Sequence, residues 1–253
     1  MIKPRTTLVL YIIVLIQVYL FLPWKGIFFI LITTLFLAHL VYCSADICSQ
    51  VYLKTLCKAK TNKKQIAITF DDGPDSKITP EVLNILNDFN VKASFFCIGK
   101  HIDENKELLK LIDKNGHLIG NHTWSHDRWF DLFSATKMKA EIEKTNGLIF
   151  ETINKETKLF RPPYGVTNPS LKKATKDSNF HNIGWSVRSL DTVNSAEKTF
   201  ERIKKKLSSG DIILFHDNRE HIIEILKLFL AYSKKEGFEI VRIDELLNIK
   251  AYD

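Results

Sequence analysis

Apolar residues fall into two patterns that divide the chain. From residue 6 to residue 43 the only charged residue is Lys25. Pro23-Trp24-Lys25-Gly26 splits this run into apolar stretches at 7–22 and 27–42. Each stretch is close to the lower limit of about 17 residues that a helix needs to cross a bilayer. A cleaved signal peptide would account for the first stretch and leave the second unexplained. Two short transmembrane helices joined by a tight turn account for both. Residues 1–45 therefore read as a membrane anchor in contact with lipid. Residues 46–64, rich in lysine from 54 onward, read as a linker or lead-in.

Beyond residue 64 short apolar runs alternate with stripes at helical spacing. Strand-like runs occupy 66–70, 93–98, 181–187, 212–215 and 238–243. Thr79 and Pro80 signal a helix start, followed by Val82, Ile85, Leu86 and Phe89. Other stripes run through Leu108, Leu109, Leu111 and Ile112, ended by Asn115-Gly116, and through Met138, Ile142, Ile149 and Ile153. A last one contains Ile222, Ile225, Leu226, Phe229 and Leu230. These stripes, Met138 included, are core faces. Strand–helix alternation without an internal repeat predicts an α/β domain over 65–253, with a parallel sheet and its site at the C-terminal strand ends.

Composition changes this picture little. The 253 residues suffice for one such domain plus the anchor, and the net charge of +7 is spread along the chain. No basic-aromatic array points to nucleic acid. Four cysteines are too few and too unevenly placed for a disulfide framework. Cys48 and Cys57 could bridge in an oxidising compartment.

Four segments carry candidate chemistry, each at an expected strand end. Thr69-Phe70-Asp71-Asp72-Gly73-Pro74 presents two adjacent carboxylates. Neighbours on a strand point apart, so one acid could bind something the other does not touch. Such a run is equally an ordinary solvated turn when taken alone. His122-Thr123-Trp124-Ser125-His126 places two imidazoles four residues apart, a spacing at which both can meet on one face of a helical turn and share a metal. The Glu of the His-Glu-x-x-His motif is missing, so Asp72 is the natural third ligand. Arg161-Pro162-Pro163-Tyr164-Gly165 is a rigid segment that can fix Arg161 and present the Tyr164 amide. The short strand before His216-Asp217 ends in a histidine that could donate a proton.

Together these motifs resemble the polysaccharide deacetylase family, also called the NodB homology domain or carbohydrate esterase family 4. Thr-Phe-Asp-Asp-Gly, His-Thr-x-x-His, Arg-x-Pro-Tyr and Leu-x-His occur in the family's order, from about residue 64 to the C-terminus. The resemblance implies a distorted, incomplete (β/α) barrel. It implies Asp71 as general base, with Asp72, His122 and His126 holding one divalent metal. Zinc suits these ligands, and cobalt, nickel or manganese remain open. It also implies that Arg161 orients the base and that the Tyr164 amide, after Pro163, helps to bind an oxyanion. Leu214 would line an acetyl pocket, and His216 would be the general acid. Asp191 is retained from the family's Asp-x-x-Asp-Trp motif, to pair with Arg161 or to tune His216. Arg188 and Thr192 replace the first acid and the aromatic, which puts the shape of the sugar groove in question.

The expected activity is metal-dependent removal of N-acetyl groups from a glycan such as peptidoglycan, a surface polysaccharide or chitin-like oligomers. O-deacetylation on the same site, a glycosidase using Asp71 and a non-catalytic glycan-binding protein are the alternatives. Topology signals conflict. Lys3, Arg5 and the lysines after residue 53 favour cytoplasmic ends by the positive-inside rule, whereas the resemblance implies an extracytoplasmic domain on an integral membrane protein.

Overall fold

The computed structural model describes residues 4–21 and 25–253. Two apolar helices come first, α1 (Pro4–Phe21) and α2 (Lys25–Ala45). They are followed by β1 (Thr55–Leu56), β2 (Gln65–Asp71), α3 (Ile78–Asp88), β3 (Ser94–Cys97), α4 (Gly99–Glu104), α5 (Lys106–Lys114) and β4 (Leu118–Asn121). Next come α6 (Ala135–Ile153), β5 (Leu159–Phe160), α7 (Pro169–Ala174), β6 (His181–Ile183), β7 (Val187–Arg188) and α8 (Ala196–Lys206). The chain ends with β8 (Ile212–His216), α9 (Ile222–Lys235), β9 (Glu239–Ile240) and α10 (Ile243–Leu247).

All named strand pairs are parallel, in the order β1-β6-β5-β4-β3-β2-β8-β7, with β9 pairing β2. β6 and β7 lie near opposite ends of that order, yet only residues 184–186 separate them. Four residue steps span at most about 14 Å. The sheet must therefore curl until its two edges nearly meet, giving a barrel with an open seam.

Side-chain alternation sorts the strands into two layers. On β2, Ile66, Ile68 and Phe70 face outward into the helices, whereas Ala67 belongs to the inner cluster with Phe96, Leu118, Leu159, Ile183 and Ile212. Phe70 stacks on Phe95 and on Phe215 at 5.0 and 5.9 Å, and Phe215 meets Phe229 of α9 at 5.6 Å. The same alternation carries Thr69 and Asp71 to the inner face above Ala67.

Several local expectations change. Thr79 is not the cap of α3: Lys77 precedes the helix, and the Asp75 carboxylate caps it by accepting from the Lys77 and Ile78 amides at 2.8 Å. Instead the Thr79 hydroxyl accepts from the Asp75 amide and donates to Asp217. The run at 181–187 is two strands, split where Gly184 and Trp185 cross the seam. The run at 238–243 is a two-residue strand leading into α10.

Residues 46–64 lie against the domain. Cys48 and Cys57 form a disulfide with a Cα–Cα distance of 6.0 Å. β1 extends the sheet beside β6, and the Ala59 amide bonds the Gly210 carbonyl at 2.8 Å. Of the two N-terminal helices, α2 is long and apolar enough to cross a membrane, with a mean hydropathy of 2.2. The apolar part of α1 is shorter, Thr6–Phe21. The helices touch through Tyr11, whose hydroxyl lies 3.0 Å from Thr33 Oγ1 and whose ring stacks on Phe36 at 4.2 Å. The turn expected at Pro23-Trp24 lies outside the described residues.

Candidate active site

Of the ten residues singled out from the sequence, Leu214 lies within β8 and the other nine stand at, or just beyond, the C-terminal ends of parallel strands. Asp71 closes β2 and is only 4% exposed. Arg161 follows β5 and is fully buried, reaching across the barrel interior toward the seam. Its Nη1 donates to Asp71 Oδ1 at 2.6 Å and to Thr69 Oγ1 at 2.9 Å. Its Nε and Nη2 donate to the carbonyls of Ile183 and Gly184 at 3.0 and 2.9 Å. The guanidinium plane lies 4.0 Å over the Phe96 ring. One arginine thus ties the end of β6 to β2 across the barrel interior and fixes one oxygen of Asp71. Burial raises the Asp71 pKa, opposed by Arg161 and His216, so this carboxylate is a better base than a solvated one.

Removing Arg161 should therefore cost more than a groove residue would. Arg161→Ala leaves a buried, unpaired carboxylate, for which about 3–5 kcal/mol of destabilisation is typical. Denaturant unfolding measures it. A midpoint unchanged from the parent protein would contradict the structural role of this ion pair.

Asp72 does not simply point away from Asp71 as strand alternation suggested. It sits at φ 74, beyond the strand, and both carboxylates approach His122. His122 Nε2 lies 3.6 Å from Asp72 Oδ1 and 3.8 Å from Asp71 Oδ2, and His126 Nε2 lies 3.5 Å from Asp72 Oδ1. Ligand atoms of Asp72, His122 and His126 all fall within 4.8 Å of one another. Atoms bound tetrahedrally to zinc at about 2.0–2.1 Å stand about 3.4 Å apart, so the set fits one small divalent ion with little movement. The His122 Nδ1–H donates to the Arg161 carbonyl at 2.7 Å, which turns its Nε2 lone pair toward that point. Burial, reinforced by His126, lowers the His122 pKa to about 3, so the ring is neutral as a ligand must be.

The histidine segment is a loop, not the helical turn its spacing allowed. Thr123 and His126 take left-handed backbone at φ 65 and 45. Glu141 of α6 holds the loop by accepting from the Ser125 amide and hydroxyl, both at 2.7 Å. Of the nine non-glycine residues with positive φ among the described residues, Asp72, Thr123, His126, Tyr164 and Leu190 surround this site. Such conformations cost about 1–3 kcal/mol each and persist where the surroundings enforce them.

His216 closes β8 and pairs with Asp191, not Arg161 with Asp191. The His216 Nδ1–H donates to Asp191 Oδ1 at 2.9 Å, and the His216 amide donates to Oδ2 at 2.7 Å. Ser189 donates a third bond to Asp191 at 2.8 Å. Burial would lower the His216 pKa, but Asp191, with Asp71 and Asp72, pushes it up to about 9. The imidazolium is the resting form at neutral pH, and its free Nε2–H is available to a substrate.

Leu214, buried, shares the inner face with His216 two residues on. Pro163, also buried, opens a 3-10 turn at Pro163–Gly165, in which Tyr164 has φ 58. At this first turn the Tyr164 N–H has no acceptor within the helix. Its ring packs edge-on to His126 at 4.7 Å and remains half exposed. Thr192 is exposed, and Arg188 lines a cleft in the seam with Trp185 and α8.

Some supporting residues escape a sequence reading. His101 donates to the Asp72 carbonyl at 2.7 Å, and Asn218 Nδ2 to Asp72 Oδ2 at 3.3 Å. Asp217 is fully buried beneath the acid pair, and burial pushes its pKa up to about 7. A Cβ on Gly73 would collide with its carboxyl, which is why the turn after Asp72 needs glycine. The only sequence signal for Asp217 and Asn218 is that they follow His216.

A profile described as polysaccharide deacetylase matches residues 58–183. A peptidoglycan-N-acetylglucosamine deacetylase of Bacillus cereus is 37% identical over 198 residues, covering 75% of this chain and 91% of that protein. The Listeria monocytogenes peptidoglycan-N-acetylglucosamine deacetylase PgdA is 36% identical over 203 residues, 80% of this chain. The chain spans only 42% of PgdA's length. Among solved structures, the Bc1960 peptidoglycan N-acetylglucosamine deacetylase in complex with an N-hydroxybenzamide superposes with a TM-score of 0.74 at 28% identity, covering 84% of this chain and 97% of that one. With the curled parallel sheet, the strand-end acids and histidines and these likenesses in agreement, the chain belongs to the polysaccharide deacetylase family.

Proposed function

We propose that the protein hydrolyses the N-acetyl group of N-acetylglucosamine units in peptidoglycan, working from a membrane anchor. The observation that carries this is one cluster in which an arginine-held carboxylate, an Asp-His-His set and an Asp-paired histidine face each other. A divalent ion held by Asp72, His122 and His126, zinc by its ligand types, would supply polarisation of the acetyl carbonyl and a lowered pKa for water. Cobalt, nickel and manganese accept the same ligands.

The chain's own groups do the rest. Asp71 Oδ2, the oxygen Arg161 leaves free, accepts the proton of the attacking water. Arg161 keeps the carboxylate in place while its charge changes. The Tyr164 N–H donates to the developing oxyanion, and Leu214 borders the space for the acetyl methyl. His216 Nε2–H then protonates the departing nitrogen, with Asp191 holding Nδ1–H. An amine anion is a poor leaving group, so a histidine poised as imidazolium favours an amide over an ester substrate. Mass spectrometry of muramidase digests from treated peptidoglycan tests this. Loss of acetyl from the glucosamine unit is the expected result, and loss of O-acetyl alone would contradict it.

We place the domain outside the cytoplasmic membrane. The Cys48–Cys57 disulfide supports this, because such bonds persist in oxidising compartments. The named relatives, which act on peptidoglycan, support it too. Protease added to intact spheroplasts should digest the domain. Full protection until the membrane is lysed would reverse the assignment.

A further inference from the structure

The seam of the barrel opens on a cleft of about 460 Å³ that none of the proposed chemistry uses. Ala45, the last residue of α2, lines one side, and Trp185, Arg188, Arg202 and Lys206 line the other. Arg202 Nε donates to the Arg188 carbonyl at 2.9 Å, so the Arg202 side chain of α8 lies against the backbone of β7, whose Arg188 lines the same cleft. Neither they nor Lys206 has an acidic partner among the described residues. The one acid in the cleft, Asp46, is engaged by the Tyr42 hydroxyl and the Cys48 amide. Three cations against one acid leave an excess of two positive charges.

Lys206 by itself has an ordinary explanation, because lysines in the last turn of a helix offset its dipole. Lys204 and Lys205 precede it there. The two arginines have no such role. Arg188 lies over the Trp185 ring at 6.0 Å, which does not offset its charge. Like charges lining one cleft without a counter-ion repel, and an anion would relieve them.

The position of the cleft indicates which anion. α2 has 21 residues, which at about 1.5 Å each matches a hydrocarbon core about 30 Å thick. If α2 spans the membrane, as proposed above, Ala45 marks the edge of that core. The cleft that Ala45 lines then lies in the headgroup layer, about 5–7 Å deep on each side. The anion at that depth is a lipid phosphate.

We infer that the seam cleft formed by Arg188, Arg202 and Lys206 binds the headgroup phosphate of an anionic phospholipid and so fixes the catalytic domain against the membrane surface. The domain already docks on α2, since the Thr167 amide bonds the Ser44 carbonyl at 2.9 Å. A bound headgroup adds a second point of attachment on the far side of the seam. Together they would limit the rotation of the active-site mouth about the anchor.

This inference rests on the membrane reading, and its test separates the two. The full chain, R188S/R202S and K206S are each expressed in membranes and treated with alkaline carbonate. They are then purified in non-ionic detergent and titrated with dihexanoyl phosphatidylglycerol, dihexanoyl phosphatidylcholine and inorganic phosphate, with binding read by native mass spectrometry. All three proteins should stay in the carbonate pellet. The parent should prefer phosphatidylglycerol over phosphatidylcholine by roughly ten-fold or more. At about five-fold per basic residue near an anionic surface, R188S/R202S should weaken phosphatidylglycerol binding by roughly 25-fold and K206S by roughly five-fold. Carbonate release of the parent would overturn the membrane reading and the headgroup assignment with it. Retention without a phosphatidylglycerol preference, or with undiminished binding by R188S/R202S, would overturn the headgroup site alone. Inorganic phosphate binding as tightly as phosphatidylglycerol would do the same, since the site would then serve a free anion.

Discussion

His216→Ala and Asp71→Asn should each give a folded protein that still binds metal but turns over an N-acetylated glycan ~10²–10⁴-fold more slowly, as typical of lost acid or base groups. Folding survives in both cases for structural reasons. Without the imidazole, Asp191 keeps its bonds from the residue 216 amide and from Ser189. In Asp71→Asn an amide oxygen can still accept from Arg161. The pH profile of kcat/KM carries the sign. Asp71 must be deprotonated, so activity falls as pH drops through its raised pKa. His216 must be protonated, so activity falls as pH rises through about 9. Asp191→Asn removes the group that pushes His216 upward, so the alkaline limb should move to lower pH. An alkaline limb that stayed in place in Asp191→Asn and in His216→Ala would show that another group is the acid.

Metal removal should have an effect at least as large. A chelator should abolish turnover, and Asp72→Ala, His122→Ala and His126→Ala should each lose bound metal and nearly all activity. His126→Ala is the cleanest test, because His126 is only partly buried whereas His122 is 2% exposed. A metal bound to the native state alone stabilises it by about 4 kcal/mol at a thousand times its Kd. Added zinc should therefore raise the Tm of the stripped parent protein but not that of His126→Ala. Metal content by elemental analysis gives the same answer independently of activity. Stoichiometric metal in all three variants would remove these side chains from the site.

The place of the candidate site was legible because its groups sit in short motifs that follow apolar runs. Ile66 to Phe70 announces a strand, and whatever follows it must stand at the strand end. The parallel order of strands then follows from the alternating helices. What the sequence left open were relations between distant segments. Nothing in the His122 to His126 spacing distinguishes a helical turn from a loop, because the loop is imposed by Glu141 from α6. The pairing of Asp191 with His216 instead of Arg161 depends on which side of the seam each strand occupies. α8 buries only Ala196, Thr199 and Ile203, too few apolar residues to stand out among its lysines. Asp217 carries no sequence signal beyond following His216, and it is buried because the Thr79 hydroxyl and the space left by Gly73 receive it.

The most direct test is acetate release from N-acetylated peptidoglycan by the full chain, measured with metal, with chelator and after metal is restored. The arrangement of Asp71, the Asp72-His122-His126 set and His216 predicts release that stops on chelation, returns with added zinc and is nearly lost in His216→Ala. Undiminished acetate release by the metal-free protein would contradict it.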